Sequence, residues 1–192
     1  VKAAIPQFNS SSAPALVFRP PKLKMQPLFL DVDLKTAGEI PNDLGRLEQL
    51  ANTVAQFLKS KQPDLDVLCF IVHKPSGYWK TLASGKKQFA TGGHIYYPKM
   101  RIEKQLALET RKHAVSKVRD IFNIPNLLND AEDIMDLRIP SRSNGLMMLY
   151  DYKPGKGGGQ YQIRSFGKWD DTKLTFKHHR RTLFVTFKRC WA

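Results

Sequence analysis

The chain has 192 residues and a mass of 21.9 kDa, room for one compact domain or for one domain with an arm. Apolar residues make up 42% and charged residues 25%, which is globular composition; no apolar run approaches the ~18 residues of a helical membrane span, so no membrane partner is expected. Cys69 and Cys190 are the only cysteines, too few for a zinc quartet or a disulfide scaffold, and they point to a reducing, intracellular compartment.

The net charge of +14 and the pI near 9.9 favour a polyanionic partner, most often nucleic acid or nucleotide phosphate. From Arg138 onward there are twelve basic and three acidic residues, so the acids gather in the middle of the chain. The start at Val1 without a methionine is read as a piece of something longer.

In chain order, residues 1–26, rich in Pro, Ser and Lys, read as an extended arm, and residues 27–192 as the folded domain. Leu28-Phe29-Leu30-Asp31-Val32-Asp33-Leu34 predicts a strand. Pro41-Asn42-Asp43 supplies an N-cap for a helix carrying Leu47, Leu50, Ala51, Val54, Phe57 and Leu58 at helical spacing. Val67 to Val72 is apolar on both faces and predicts a central strand. Tyr78–Ala83 and His94–Tyr97 read as paired strands flanking the Ser84-Gly85-Lys86-Lys87 turn. Pro98 is expected to introduce a basic helix from about Met100 to Phe122. A polar, acidic stretch over 126–136 follows. Short strands are expected at 137–140 and 147–150, around a turn at 141–145, and further strands at 161–166, 174–177 and 183–187. The order gives an α+β domain with a mostly antiparallel sheet flanked by helices.

Three segments can carry chemistry. Asp31 and Asp33, two apart on one strand, share a face and suit hard divalent cations. A second pair, Asp64 and Asp66, only precedes a strand. In Ala90-Thr91-Gly92-Gly93-His94 the glycines allow close backbone approach to a ligand, and His94 can donate to phosphate or move a proton. The third segment, Asp130-Ala131-Glu132-Asp133-Ile134-Met135-Asp136, can supply a third carboxylate, and Arg138 after it suits bidentate phosphate binding. Neither a Walker A loop nor a dinucleotide Gly-x-Gly-x-x-Gly is present. Lys177-His178-His179-Arg180-Arg181, close to several aromatic residues, reads as a cationic surface for single-stranded nucleic acid.

Together, Leu-Phe-Leu-Asp-Val-Asp, Gly-Gly-His-Ile-Tyr-Tyr-Pro and Asp followed by Leu-Arg-Ile-Pro-Ser-Arg-Ser resemble the ordered motifs of the archaeo-eukaryotic primase superfamily, in the manner of its herpesvirus and large-DNA-virus branch. The resemblance covers roughly 27–153. It implies an RRM-like catalytic core and DNA primase or primase-polymerase activity on a single-stranded DNA template. It implies Mg²⁺ or Mn²⁺ held by Asp31, Asp33 and Asp133, with Asp130 and Asp136 as rivals for the third place. It implies nucleoside triphosphates as substrates near Thr91, Gly93, His94, Arg138 and Lys153; Lys177, Arg180 and Arg181, in the basic C-terminal third beyond the resemblance, fit template contacts by their charge. A replicative helicase is the implied partner, and a site of DNA replication, host nucleus or cytoplasm if viral, the implied location. The family's serine before the glycine is either replaced by Thr91 or missing, and the zinc module common in the group does not appear in this stretch. Two rival readings use the same residues: a non-catalytic single-stranded nucleic-acid-binding module, and a metal-dependent nuclease.

Overall fold

The computed structural model describes residues 17–18, 25–41, 43–74, 76–136, 146–147 and 160–178. The expected strands at 137–140 and 183–187, and the candidate residues Arg138, Lys153, Arg180 and Arg181, lie outside them.

Among the described residues, eight strands and three helices run in the order β1 (Val17–Phe18), β2 (Met25–Thr36), α1 (Leu44–Lys61), β3 (Leu68–His73), β4 (Tyr78–Thr81), β5 (Lys87–Glu103), α2 (Lys104–Ile121), α3 (Ala131–Ile134), β6 (Leu146–Met147), β7 (Gln162–Trp169) and β8 (Leu174–Lys177). The main sheet has the order β2-β5-β3-β7-β8, with β4 also paired to β5; β1 and β6 form a separate small pair. Every pairing among the described strands is antiparallel, and the α+β class follows.

The β2 sequence sorts its side chains by parity. Leu28, Leu30, Val32 and Leu34 point into the larger core, which α1 and α2 cover. Phe29, Asp31 and Asp33 alternate with them onto the other face, where Phe29 packs in a second cluster with Phe70, Val72, Tyr96 and Phe166. Central β3 is buried along its whole length, serving both clusters as its apolar run predicts. Burial also pushes the thiol of Cys69, in the middle of this strand, far from its thiolate form.

Helix α1 forms where its pattern requires. Asp43 caps it by accepting from the Arg46 N–H at 3.1 Å. Leu47, Leu50, Ala51, Val54, Ala55 and Leu58 make its buried stripe, each large side chain contributing roughly 1.5–3 kcal/mol of burial. Lys59 and Lys61 stand in the last turn, where the helix dipole favours cations. The buried Tyr97 O–H donates to the Ala51 carbonyl at 2.7 Å and pins α1 to β5.

The second helix starts later than its sequence led us to expect. The chain stays extended through Pro98 and on to Glu103, and α2 begins at Lys104. Pro27 pairs with Arg101 but Leu28 pairs with Tyr97, so Pro98, Lys99 and Met100 form a bulge. A proline without an N–H fits at such a break in the ladder. Through the bulge and past it Met100 and Ile102 are buried while Lys99, Arg101 and Glu103 are exposed, the period of a strand. No helix among the described residues is long and apolar enough to cross a membrane.

Candidate active site

Asp31 on β2 lies directly opposite His94 on β5, and Asp33 opposite Gly92. Opposed residues of an antiparallel pair share a face. His94 Nε2 stands 3.4 Å from Asp31 Oδ1, and its Nδ1 is 3.1 Å from the Tyr96 hydroxyl. The imidazole is 2% exposed, and the Tyr161 ring stacks on it at 4.3 Å and 22°. Burial, and then the charge of Asp31, hold the Tyr96 phenol well above its ordinary pKa, so it stays protonated. When that O–H donates to Nδ1, the remaining N–H of a neutral imidazole faces the Asp31 carboxylate.

The negative field of the pair is legible in its neighbours. Tyr161 and Tyr78 are both raised, first by burial and then by Asp31 and Asp33. A narrow cleft beside Asp33 is lined by Lys74, Tyr78, Thr91, Gly92 and Tyr161 among others. Thr91, Gly93 and His94 are thus brought to the same part of the sheet as the two aspartates.

The glycines have a different reason from the one the sequence suggested. Gly92 adopts φ +141°, and a Cβ there would stand 1.9 Å from the Val32 carbonyl oxygen; at Gly93 a Cβ would meet the Val72 carbonyl at 2.8 Å. The close approach is to β2 and β3 themselves, so the sheet demands both glycines before any ligand arrives.

The acidic segment lies along the free edge of β2. Val32 and Met135 form an antiparallel bridge, as do Thr36 and Leu127, and the Asp136 N–H donates to the Asp31 carbonyl at 3.2 Å. Val32 and Met135 both enter the core, so Asp136, next in sequence, falls on the Asp31 side. Asp133 is exposed in the α3 turn, its N–H accepted by Asp130 Oδ1 at 2.8 Å. Asn129 completes the edge, donating to the Asp33 carbonyl and accepting from the Lys35 N–H. Among the described residues no three His, Cys, Asp or Glu side chains close on one point, so the carboxylates share a region of the sheet without forming a finished ligand cage.

Arg111, 6% exposed on α2, holds this segment in place. Its Nε donates to the Met135 carbonyl at 2.9 Å, and its Nη2 to the carbonyls of Met135 at 2.6 Å and Glu132 at 2.9 Å. Nη1 meets the Glu132 carboxylate at 2.5 Å. Arg119 adds a bond to the Asn129 carbonyl at 2.8 Å. Neither arginine carried a signal in the sequence beyond its charge. The second Asp-x-Asp is a surface feature: Asp66 pairs with exposed Lys99 at 3.3 Å. Lys177 is exposed at the end of β8.

Residues 14–166 match the family described as the C962R protein N-terminal AEP domain. The chain belongs to the archaeo-eukaryotic primase superfamily. The match takes in both aspartate-bearing strand β2 and the histidine-bearing strand β5, and it runs into β7. The AEP domain described here is therefore of primase and polymerase type, in a superfamily whose members are generally nucleotidyltransferases. No curated protein matches the chain.

Proposed function

We propose that this AEP domain carries out template-directed nucleotidyl transfer, building a primer on single-stranded DNA from nucleoside triphosphates. The observation that carries the reading is the Asp31–His94 pair across β2 and β5, with Asp33 beside it on the same face. Carboxylates on a rigid strand supply hard oxygen donors, and the imidazole next to them can meet a phosphate oxygen.

Asp31, Asp33 and Asp136 are the residues assigned to Mg²⁺ or Mn²⁺. Asp136 replaces Asp133 in this assignment because the bridge at Val32 and Met135 sets Asp136, not Asp133, beside Asp31. An unfinished cage fits these ions, since Mg²⁺ is usually held by one or two carboxylates with substrate phosphates and waters completing its shell. Such ions, when bound, lower the pKa of an attacking hydroxyl and neutralise a leaving pyrophosphate. The chain's own contribution is to fix two carboxylates by strand pairing, to hold His94 between Asp31, Tyr96 and Tyr161, and to present Thr91 at the cleft. Arg138 and Lys153 remain assigned to the nucleotide on the family resemblance, and Lys177, Arg180 and Arg181 to the template on the charge of the C-terminal region. A replicative helicase is the proposed partner.

Incubating the protein with single-stranded DNA, nucleotides and Mn²⁺ tests the reading. Extension products that vanish in Asp31→Asn support it. Degradation of labelled DNA without extension identifies a nuclease, and binding indifferent to divalent ions without extension identifies a binding module; either result overturns the proposal.

A further inference from the structure

We propose that the cavity on the helix-covered face of the sheet, between the start of α1 and the end of β3, binds a nucleotide, its phosphate on Arg164 and its base against an apolar wall. This goes beyond the nucleotidyl-transfer reading, because the cavity lies on the face away from Asp31 and Asp33.

Strand pairing sets the face. His73 is opposite Gly93, and Gly93 is opposite Val32, so His73 shares the side of Val32, which enters the core under the helices. Phe89, opposite Thr36, falls on that side as well. Both line a cavity of about 580 Å³, together with Ile40, Pro41, Leu44 and Arg164 among others. That volume is in the range of small-molecule sites.

Arg164 reaches the cavity through a break in the ladder. Ile71 pairs with Ser165 but Val72 pairs with Ile163, so Arg164 is the extra residue of a bulge, a device that re-aims side chains. Among the described residues no hydrogen bond or ion pair engages its guanidinium. Glu39, the acid among the described lining residues, instead accepts from the Trp79 indole N–H at 2.8 Å. The planar fork of an arginine matches phosphate oxygens.

The rest of the wall fits the remainder of a nucleotide. Ile40, Pro41, Leu44 and Phe89 offer an apolar surface for a base. His73 is 3% exposed, and its Nδ1 donates to the Lys74 carbonyl, so Nε2 of the neutral ring is an acceptor. Glu39 supplies a second acceptor. Base N–H and sugar hydroxyl groups are the donors such acceptors take. A bare phosphate would answer Arg164 alone, and an apolar ligand would leave the guanidinium unpaired; a nucleotide answers the cation, the wall and the acceptors together. The net charge of +14 also draws such anions toward the protein.

The full chain, as wild type, Arg164→Gln, Arg164→Lys and Ile40→Asp, is titrated calorimetrically in EDTA with AMP, adenosine, inorganic phosphate and a short oligo-dA without terminal phosphates. EDTA keeps divalent ions off the aspartate face. Wild type should bind AMP about tenfold or more tightly than adenosine or phosphate. Arg164→Gln should weaken AMP about tenfold to a hundredfold, the scale of one charge-assisted contact, and leave adenosine unchanged. Arg164→Lys, which keeps the charge without the fork, should fall between. Ile40→Asp should weaken AMP and adenosine alike. With AMP weakened as expected, a parallel loss of oligo-dA affinity in Arg164→Gln identifies the ligand as a unit of a strand, and unchanged oligo-dA affinity identifies a free nucleotide. Equal AMP affinity in Arg164→Gln and wild type overturns the proposal, as does a wild type that binds AMP no better than inorganic phosphate. If circular dichroism shows Arg164→Gln unfolded, Ile40→Asp, at a half-exposed position, carries the test, and undiminished AMP affinity there overturns the proposal.

Discussion

The backbone N–H of Asp136 donates to the carbonyl of Asp31 at 3.2 Å, joining the acidic segment to the strand that carries the first aspartate pair. The bond sets Asp136, rather than Asp130 or Asp133, next to Asp31, and it makes the choice of a third carboxylate experimental. Asp31→Asn, Asp33→Asn and Asp136→Asn should each lower primer synthesis by about a hundredfold or more, the scale of losing several kcal/mol of charge stabilisation. Asp133→Asn should stay within a few-fold of wild type. Primer-extension rates at saturating Mn²⁺ check this, and normal synthesis by Asp136→Asn rejects the assignment.

Arg111 is predicted to act on the site through the chain it holds. Arg111→Ala leaves the Met135 and Glu132 carbonyls without their buried donor and should cost about 2–4 kcal/mol in chemical denaturation. It should also raise the Mn²⁺ concentration needed for half-maximal synthesis, because the segment bearing Asp136 loosens. Glu132→Gln, at an exposed carboxylate, should shift stability by less than about 1 kcal/mol. A stability loss in Arg111→Ala with unaltered Mn²⁺ dependence would show that the clamp serves the fold alone.

Gly92→Ala should destabilise the domain by about 3 kcal/mol or more, since its Cβ meets the Val32 carbonyl at 1.9 Å in a backbone region that disfavours side chains. Gly38→Ala, with nothing within 4 Å of its Cβ, should change stability by no more than about 0.5 kcal/mol. Thermal melts of the two variants side by side test the contrast.

His73 gives the stability a defined pH dependence. Burial, and to a smaller extent Arg164, lower its pKa from 6.5 in the folded state, against the raising effect of its hydrogen bond to the Lys74 carbonyl. The unfolded chain then binds more protons than the native one just below pH 6.5, so this contribution is complete above that pH and is lost as pH falls toward the folded-state value. His113, stacked on Phe57, shifts in the same direction. Denaturation midpoints between pH 7.5 and 5 should fall less steeply in His73→Gln than in wild type. Identical slopes would remove His73 from the account.

Much of the fold was readable because apolar spacing reports burial locally. The parity of β2, the stripe of α1 and the two-sided apolar run of β3 each stand in a few consecutive residues. The full length of β5 does not stand out in the sequence because Pro98 reads as a helix entry, although the alternation of Met100 and Ile102 with charged neighbours has a strand's period. Asp31, Asp33 and His94 stood out in their own segments. Asp136 could not be chosen over Asp133 from sequence, because the choice depends on the register of a bridge between residues 103 positions apart.

Cys69, sealed in the middle of β3 with its thiol held protonated, has a practical consequence. In a Cys190→Ser background a maleimide can react with Cys69 only when the centre of the sheet parts. Alkylation therefore becomes a stopwatch for breathing of the whole domain, and its slowing upon addition of dATP and Mn²⁺ would report substrate engagement without any turnover being measured.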